Sequence, residues 1–131
     1  MIYQYHLSTG RQGMYNIHKE LSDAVEASGV KEGRALIFCP HTTGAVTINE
    51  NADPDVTKDL LYAFDHFFPD LENYRHMEGN SRAHLLSTLV GCEQSVIISG
   101  GRPLLGIWQS PYFLEFDGPR NRTFYIQVTE G

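Results

Sequence analysis

Cysteine is scarce in this 131-residue chain, basic residues are outnumbered, and no apolar run is long. Two cysteines, Cys39 and Cys92, are too few for a disulfide framework, and in a reducing compartment they read as free thiols whose first role is packing. Ten Lys and Arg stand against 16 Asp and Glu, a net charge of −6, which argues against a nucleic-acid partner because such proteins usually present a basic face. The longest apolar stretches, such as 35–39 and 96–98, fall far short of the roughly 20 residues that cross a bilayer, so no membrane association is expected. Residues 1–6 alternate like a strand and lack a basic segment followed by an apolar one. They do not read as a signal peptide, and the expected location is the cytoplasm. A Walker loop, a dinucleotide-binding glycine fingerprint, HExxH and a CxxC pair are all missing.

What remains is an ordinary globular composition, 41% hydrophobic and 20% charged, with 12 Gly and 6 Pro spread along the chain. Residues 1–131 read as one domain. A chain this long buries about two thirds of its unfolded surface, so a metal would serve function and not folding. The first residues alternate as a strand over 2–7, and a helix follows over 17–27 with Gly29 as its stop. Strands are expected over 34–38 and 45–49. Asp53 and Pro54 give an N-cap and first-turn proline for a second helix, with Val56, Leu60, Phe64 and Phe67 as its buried stripe and Pro69 as its end. A third helix over 81–90 should bury Leu85, Leu86, Leu89 and Val90 and turn His84 and Thr88 the other way. Strands over 95–99, 104–109, 112–116 and 123–129 complete the chain. Short turns between them predict an α+β fold with a mainly antiparallel sheet of about seven strands and about three helices.

Chemistry-bearing side chains gather in three places. The first runs from Cys39 through His41 to Gly44 and on to Glu50, Asn51 and Asp53; an imidazole where a strand meets a turn serves as a metal ligand, a proton shuttle or a simple turn cap. The second holds His76, Glu78, Asn80 and His84, where two imidazoles flanking a helix start could converge on a divalent cation or be solvated. Unpaired N–H groups at that helix start also favour an anion. The third holds Trp108, Gln109, Asp117 and Arg120; Arg120 either pairs with Asp117 or offers a planar fork to phosphate or carboxylate. His6, His18 and His66 have no comparable company.

These blocks, taken in order, carry a resemblance. His41-Thr42-Thr43-Gly44-Ala45, Ile48-Asn49-Glu50-Asn51, Asp53-Pro54-Asp55-Val56, His76 with Glu78-Gly79-Asn80 and Ala83-His84, Leu105-Gly106-Ile107-Trp108-Gln109 and Glu115-Phe116-Asp117-Gly118-Pro119-Arg120 resemble the signature of the YjbQ-like proteins, also called secondary thiamine-phosphate synthase enzymes. The resemblance spans nearly the whole chain. It implies a compact α+β fold, a homotrimer, and a metal-dependent transferase activity that joins a pyrimidine-methyl diphosphate to a thiazole phosphate with loss of pyrophosphate. It implies His41, His76 and His84 as metal ligands, and a divalent cation for which three imidazoles suit Zn²⁺ better than Mg²⁺. Glu50, Asp53, Gln109 and Asp117 would be catalytic, and Asn51, Asn80, Trp108 and Arg120 would hold a small phosphorylated metabolite. The alternatives are a trimeric binding protein that holds such a metabolite without turning it over, and a scaffold whose polar motifs lock subunits together.

Overall fold

The alternation at the amino terminus builds an edge strand, β1 (Ile2–Ser8), whose side chains are exposed and half-buried in turn. In the computed structural model, which describes residues 1–131, the chain continues through β2 (Gly13–Asn16), α1 (His18–Ser28), β3 (Gly33–Phe38), β4 (Gly44–Glu50), α2 (Pro54–Phe67) and α3 (Ser81–Val90). It ends with β5 (Glu93–Ser99), β6 (Arg102–Pro103), β7 (Gln109–Glu115) and β8 (Asn121–Glu130). The expected α+β class is observed, with every strand pair antiparallel. The strands divide between two sheets, one in the order β1-β8-β3-β5-β6 and one in the order β2-β7-β4.

The smaller sheet lies between two cores, and this explains why β7 is buried from Ser110 onward and does not alternate. Phe113 and Val46 point toward the main core, which joins α1 (Leu21, Ala24, Val25) to the inner face of the larger sheet (Ile37, Val96, Phe124, Ile126). Ala45, Tyr112 and Leu114 point the other way, onto Ala83 and Leu86 of α3 and onto Phe116. Side chains that alternate on a strand thus find an apolar partner on each face.

Several local expectations are corrected. The strand expected over 104–109 is absent: β6 ends at Pro103 and Ile107–Trp108 form a turn, so the next strand starts at Gln109. No break separates 109 from 112. Pro111 is tolerated in the middle strand because its carbonyl, and with it the side lacking an N–H, faces Ile17, beyond the end of β2 at Asn16. The Gly13–Asn16 strand went unanticipated. Asp53 caps α2 as expected, its carboxylate accepting from the Asp55 N–H at 2.9 Å. That helix, however, has no fully buried residue, and Phe67 is 72% exposed. On α3 the buried residues are Arg82, Ala83, Leu86 and Ser87, and Leu89 lies outside.

The rotation of α3 has an identifiable cause. Arg82 donates to Phe68 O at 2.6 Å, Gln12 Oε1 at 2.7 Å and Asp65 Oδ1 at 2.8 Å, and Ser87 Oγ donates to Gly44 O at 2.6 Å. Buried polar groups carry little penalty once hydrogen-bonded. The helix therefore seats its satisfied polar residues inward and turns His84 and Thr88 along the β3–β4 connection.

Candidate functional site

The connection from β7 to β8, which passes from the smaller sheet to the larger, builds one wall of the site. Glu115 and Asp117 leave β7 two residues apart, Arg120 and Arg122 enter β8 two residues apart, and the turn between them nests two ion pairs. Gly118 makes that turn possible: a Cβ there would stand 1.8 Å from Gly10 O, and its N–H donates to Arg11 O at 2.9 Å. The Gly118–Pro119 peptide is cis. In the inner pair, Arg122 Nε donates to Glu115 Oε1 at 2.7 Å, and its Nη2 donates to Glu115 Oε2 and, at 2.8 Å, to Thr43 Oγ1. Thr9 Oγ1 and the Asp117 N–H also donate to the Glu115 carboxylate. Burial opposes ionisation of Glu115, but these donors outweigh it and hold the carboxyl below its usual range.

The outer pair is more open. Arg120 donates from Nε to Asp117 O at 2.8 Å and from Nη2 to Asp117 Oδ2 at 3.0 Å, and lies 3.5 Å from Glu78. Asn80 Nδ2 bridges the same two carboxylates, at 2.7 Å from Asp117 and 3.1 Å from Glu78. Burial works against an ionised Asp117 too, yet Asn80 and Arg120 keep its carboxyl below the ordinary value. Asn80 heads α3 without a side-chain cap. Its Oδ1 is the single buried side-chain oxygen or nitrogen lacking a partner.

Opposite this wall stand His41, on the β3–β4 connection, and His84, on α3. Both line a polar cavity of about 330 Å³ together with Thr42, Thr43, Glu78, Asn80, Arg120 and Arg122. Both also line the adjoining cavity of about 670 Å³, which reaches Cys39, Thr88 and Cys92. His41 Nε2 lies 3.0 Å from both the N–H and the carbonyl of Thr123, and Nδ1 has no partner in the chain. A proton on Nε2 is donated to the carbonyl and leaves Nδ1 as a bare lone pair; a bare Nε2 accepts from the N–H and puts the proton on Nδ1. Burial, reinforced by the neighbouring Arg122 charge, pushes the His41 pKa down, so the ring is neutral at neutral pH. Cys39 is buried and its thiol is pushed up to about 11 by desolvation, which makes it an inert wall and not a nucleophile.

His76 packs edge-on against His84 with ring centroids 5.4 Å apart, and its Nε2 is 4.0 Å from Glu78 Oε1. The chemistry of this set, imidazoles beside a carboxylate, suits a divalent cation of the Zn²⁺ type. As the side chains stand, no group of three or more His, Cys, Asp or Glu is arranged to hold a metal ion. His76 and Glu78 are half exposed, so they are the members with freedom to reorient.

The candidate residues named from sequence thus fall into two groups. His41, His76, His84, Asn80, Asp117 and Arg120 come together around the polar cavity. Glu50, Asn51, Asp53, Trp108 and Gln109 lie at the opposite end of the β4–β7 ladder. Glu50 pairs with Gln109 there, whereas Gly44 pairs with Glu115, six residues and roughly 20 Å away. At that far end Asn51 Nδ2 donates to Ser110 Oγ, the Asn51 N–H donates to Trp108 O, and Gln109 Oε1 accepts from the Gly106 N–H. Trp108 is 58% exposed there. Sequence reasoning gave no role to Arg122, Glu115 or Thr43. The available signal was Glu115 itself, a lone carboxylate ending an apolar strand, seven residues before an arginine that alternates with Arg120.

Comparison with known proteins finds relatives of the chain in sequence and in fold. The sequence model of the family described as "UPF0047 protein YjbQ-like" matches residues 3–131. The UPF0047 protein YugU of Bacillus subtilis is 52% identical over 122 residues, covering 92% of each chain. A UPF0047 protein of Methanocaldococcus jannaschii is 47% identical over 129 residues, covering 98% of this chain and 94% of its own. Among solved structures, a YjbQ/UPF0047 family protein of Clostridium acetobutylicum superposes with a TM-score of 0.94 at 47% identity, covering 97% of this chain and 99% of that one. A YbjQ-like protein of Sulfolobus solfataricus superposes at 0.95 and 29% identity, covering 100% and 97%.

Proposed function

This chain belongs to the UPF0047 YjbQ-like family, and on that premise we propose that it is a metal-dependent enzyme acting on a small phosphorylated metabolite. The reaction proposed is of the thiamine-phosphate synthase type: a pyrimidine-methyl diphosphate joins a thiazole phosphate and pyrophosphate departs. One observation carries this reading. Imidazoles, guanidinium groups, an amide and a carboxylate line a single cavity that has no hydrophobic lining residue. His41, His76 and His84 would hold a divalent cation, Zn²⁺ before Mg²⁺ by ligand type, and the cation would supply positive charge to the departing pyrophosphate. The chain's own part is to bind and orient. Guanidinium charge at the cavity stabilises phosphate oxygens.

Glu50, Asp53 and Gln109, proposed as catalytic, and Asn51 and Trp108, proposed as substrate-binding, stand at the far end of the ladder. They join the cavity only if a neighbouring subunit supplies them. The proposed homotrimer is supported by apolar side chains left uncovered at that end, Ile107 at 84% and Trp108 at 58% exposure, and by Ile2, Leu36, Phe38 and Tyr125, which line an apolar groove on the outer face of the larger sheet. No helix is long and apolar enough to cross a membrane. Two unbridged cysteines fit the proposed cytoplasmic location.

The test is to incubate the two phosphorylated substrates with protein supplemented with Zn²⁺, Mg²⁺ or Mn²⁺ and follow pyrophosphate release and thiamine phosphate together. Metal-dependent formation of both, lost with His84→Ala, is the expected result. A second reading, a binding protein that holds the metabolite without turnover, is favoured by the lack of a pre-arranged three-ligand group. It is established instead if the metabolite binds saturably while no product forms under any metal.

A further inference from the structure

We propose that the phosphoryl oxyanion is held by Arg122 and Thr43, with Arg122 presented by the buried Glu115, and that Arg120 acts as part of the cavity's rim. This rests on the reading of the cavity as a site for a phosphorylated ligand.

The inventory of donors points this way. A guanidinium has five N–H groups in a fixed plane. On Arg122, Nε and Nη2 are committed to Glu115 and Thr43, and Nη1 has no partner in the chain. The side chain is only 5% exposed, yet Nη1 is not among the sealed, unpaired atoms, a set that contains Asn80 Oδ1 alone. Nη1 is therefore the part of a buried guanidinium that keeps some access, and the polar cavity is the one that Arg122 lines, which makes it the space Nη1 would serve. Thr43 lines the same cavity. Its hydroxyl oxygen accepts from Arg122, and its own proton is unassigned, which leaves a second donor beside Nη1. Arg122 Nη1 is thus a donor fixed by the ion pair behind it, and the Thr43 hydroxyl is a second that needs only rotation of its proton; donors held this nearly in place are what an oxyanion requires.

Arg120 is the weaker candidate on the same criteria. Its side chain is 45% exposed, and its Nε and Nη2 are engaged by Asp117. Glu78 lies 3.5 Å away. An anion approaching Arg120 meets two accessible carboxylates, whereas the counter-charge of Arg122 is a fully buried glutamate behind it. The ligand chemistry is a tetrahedral phosphoryl group, supplied by a phosphomonoester or by a diphosphate end.

Titration calorimetry with inorganic phosphate and with pyrophosphate, with and without Zn²⁺, tests this on the whole protein. Preference for one of the two probes assigns the source of the phosphoryl group. Arg122→Lys keeps a positive charge against Glu115 and removes Nη1. The double variant Glu115→Gln with Arg122→Met removes both buried charges, so no ion is orphaned, and it decides the question if the single variant does not fold. The expected result is a loss of about tenfold or more in affinity for either variant, against about threefold or less for Arg120→Gln, in proteins that keep the wild-type circular dichroism. The reverse order, with Arg120→Gln abolishing binding and the Arg122 variants retaining it, overturns this assignment and leaves the proposed function standing. A wild-type protein that binds neither probe under any condition overturns both.

Discussion

The two ion pairs that straddle Gly118–Pro119 share a turn and a chemistry but differ in burial, and the difference assigns their roles. Glu115–Arg122 is buried, at 0% and 5% side-chain exposure; Asp117–Arg120 stands at 28% and 45%. A buried pair gives modest net stability but is costly to break, because the surviving partner is a desolvated charge. An exposed pair is screened and worth little. The inner pair therefore fixes geometry at the cavity floor, and the outer pair trims its edge.

The largest effect expected is from breaking the inner pair on one side only. Arg122→Met leaves Glu115 buried and unpaired and should cost about 3–5 kcal/mol in urea unfolding, most of it recovered by adding Glu115→Gln. If the single variant loses no more than Arg120→Gln, the two pairs are equivalent and the comparison fails. Next comes Gly118→Ala. Its methyl would stand 1.8 Å from Gly10 O, so the turn must move and both pairs must shift, at a cost on the order of 1–3 kcal/mol by the same assay. Smaller still, Arg120→Gln should cost about 1 kcal/mol or less, and added salt should shrink it further.

The pH dependence sharpens the contrast. Both carboxyls are held below their usual values in the fold, so each pair's contribution is complete above the ordinary carboxylate range and is lost as pH falls through the depressed folded values. Melting curves between pH 5 and pH 2 should flatten more in the Glu115→Gln, Arg122→Met double variant than in Asp117→Asn. His41 adds a smaller slope at higher pH. Its folded pKa is lowered, so the unfolded chain takes up a proton first, and stability falls as pH drops below about 6.5, the usual imidazole value. Replacing His41 with Asn should remove that slope; an unchanged curve would remove the basis for treating this ring as held neutral.

Much of the architecture was legible because local rules and tertiary context agree. Asp53-Pro54 caps α2 as its residue types dictate, Gly29 takes the left-handed conformation that ends α1, and the alternation of β1 is the alternation of an edge strand with one solvated face. Periodicity misled where polar residues were satisfied inside. Arg82 and Ser87 look like surface positions until their hydrogen bonds to Phe68, Asp65 and Gly44 are known, and those bonds set the face that α3 presents. The site was half legible. His41, His84, Asn80 and Asp117 were singled out and do meet, but sequence spacing does not reveal which end of a strand ladder a motif occupies, so the Glu50 and Gln109 block was grouped with residues roughly 20 Å away. Arg122 went unassigned because its value lies in a partner seven residues back, visible only once the turn from β7 to β8 is formed.

Metal content tests the account at its centre. The protein should be equilibrated with Zn²⁺ at controlled free concentration, dialysed without chelator, and the bound metal counted for wild type and for His41→Ala, His76→Ala and His84→Ala. The account expects tight binding by wild type and its loss in each variant; metal content unchanged across all three would contradict it.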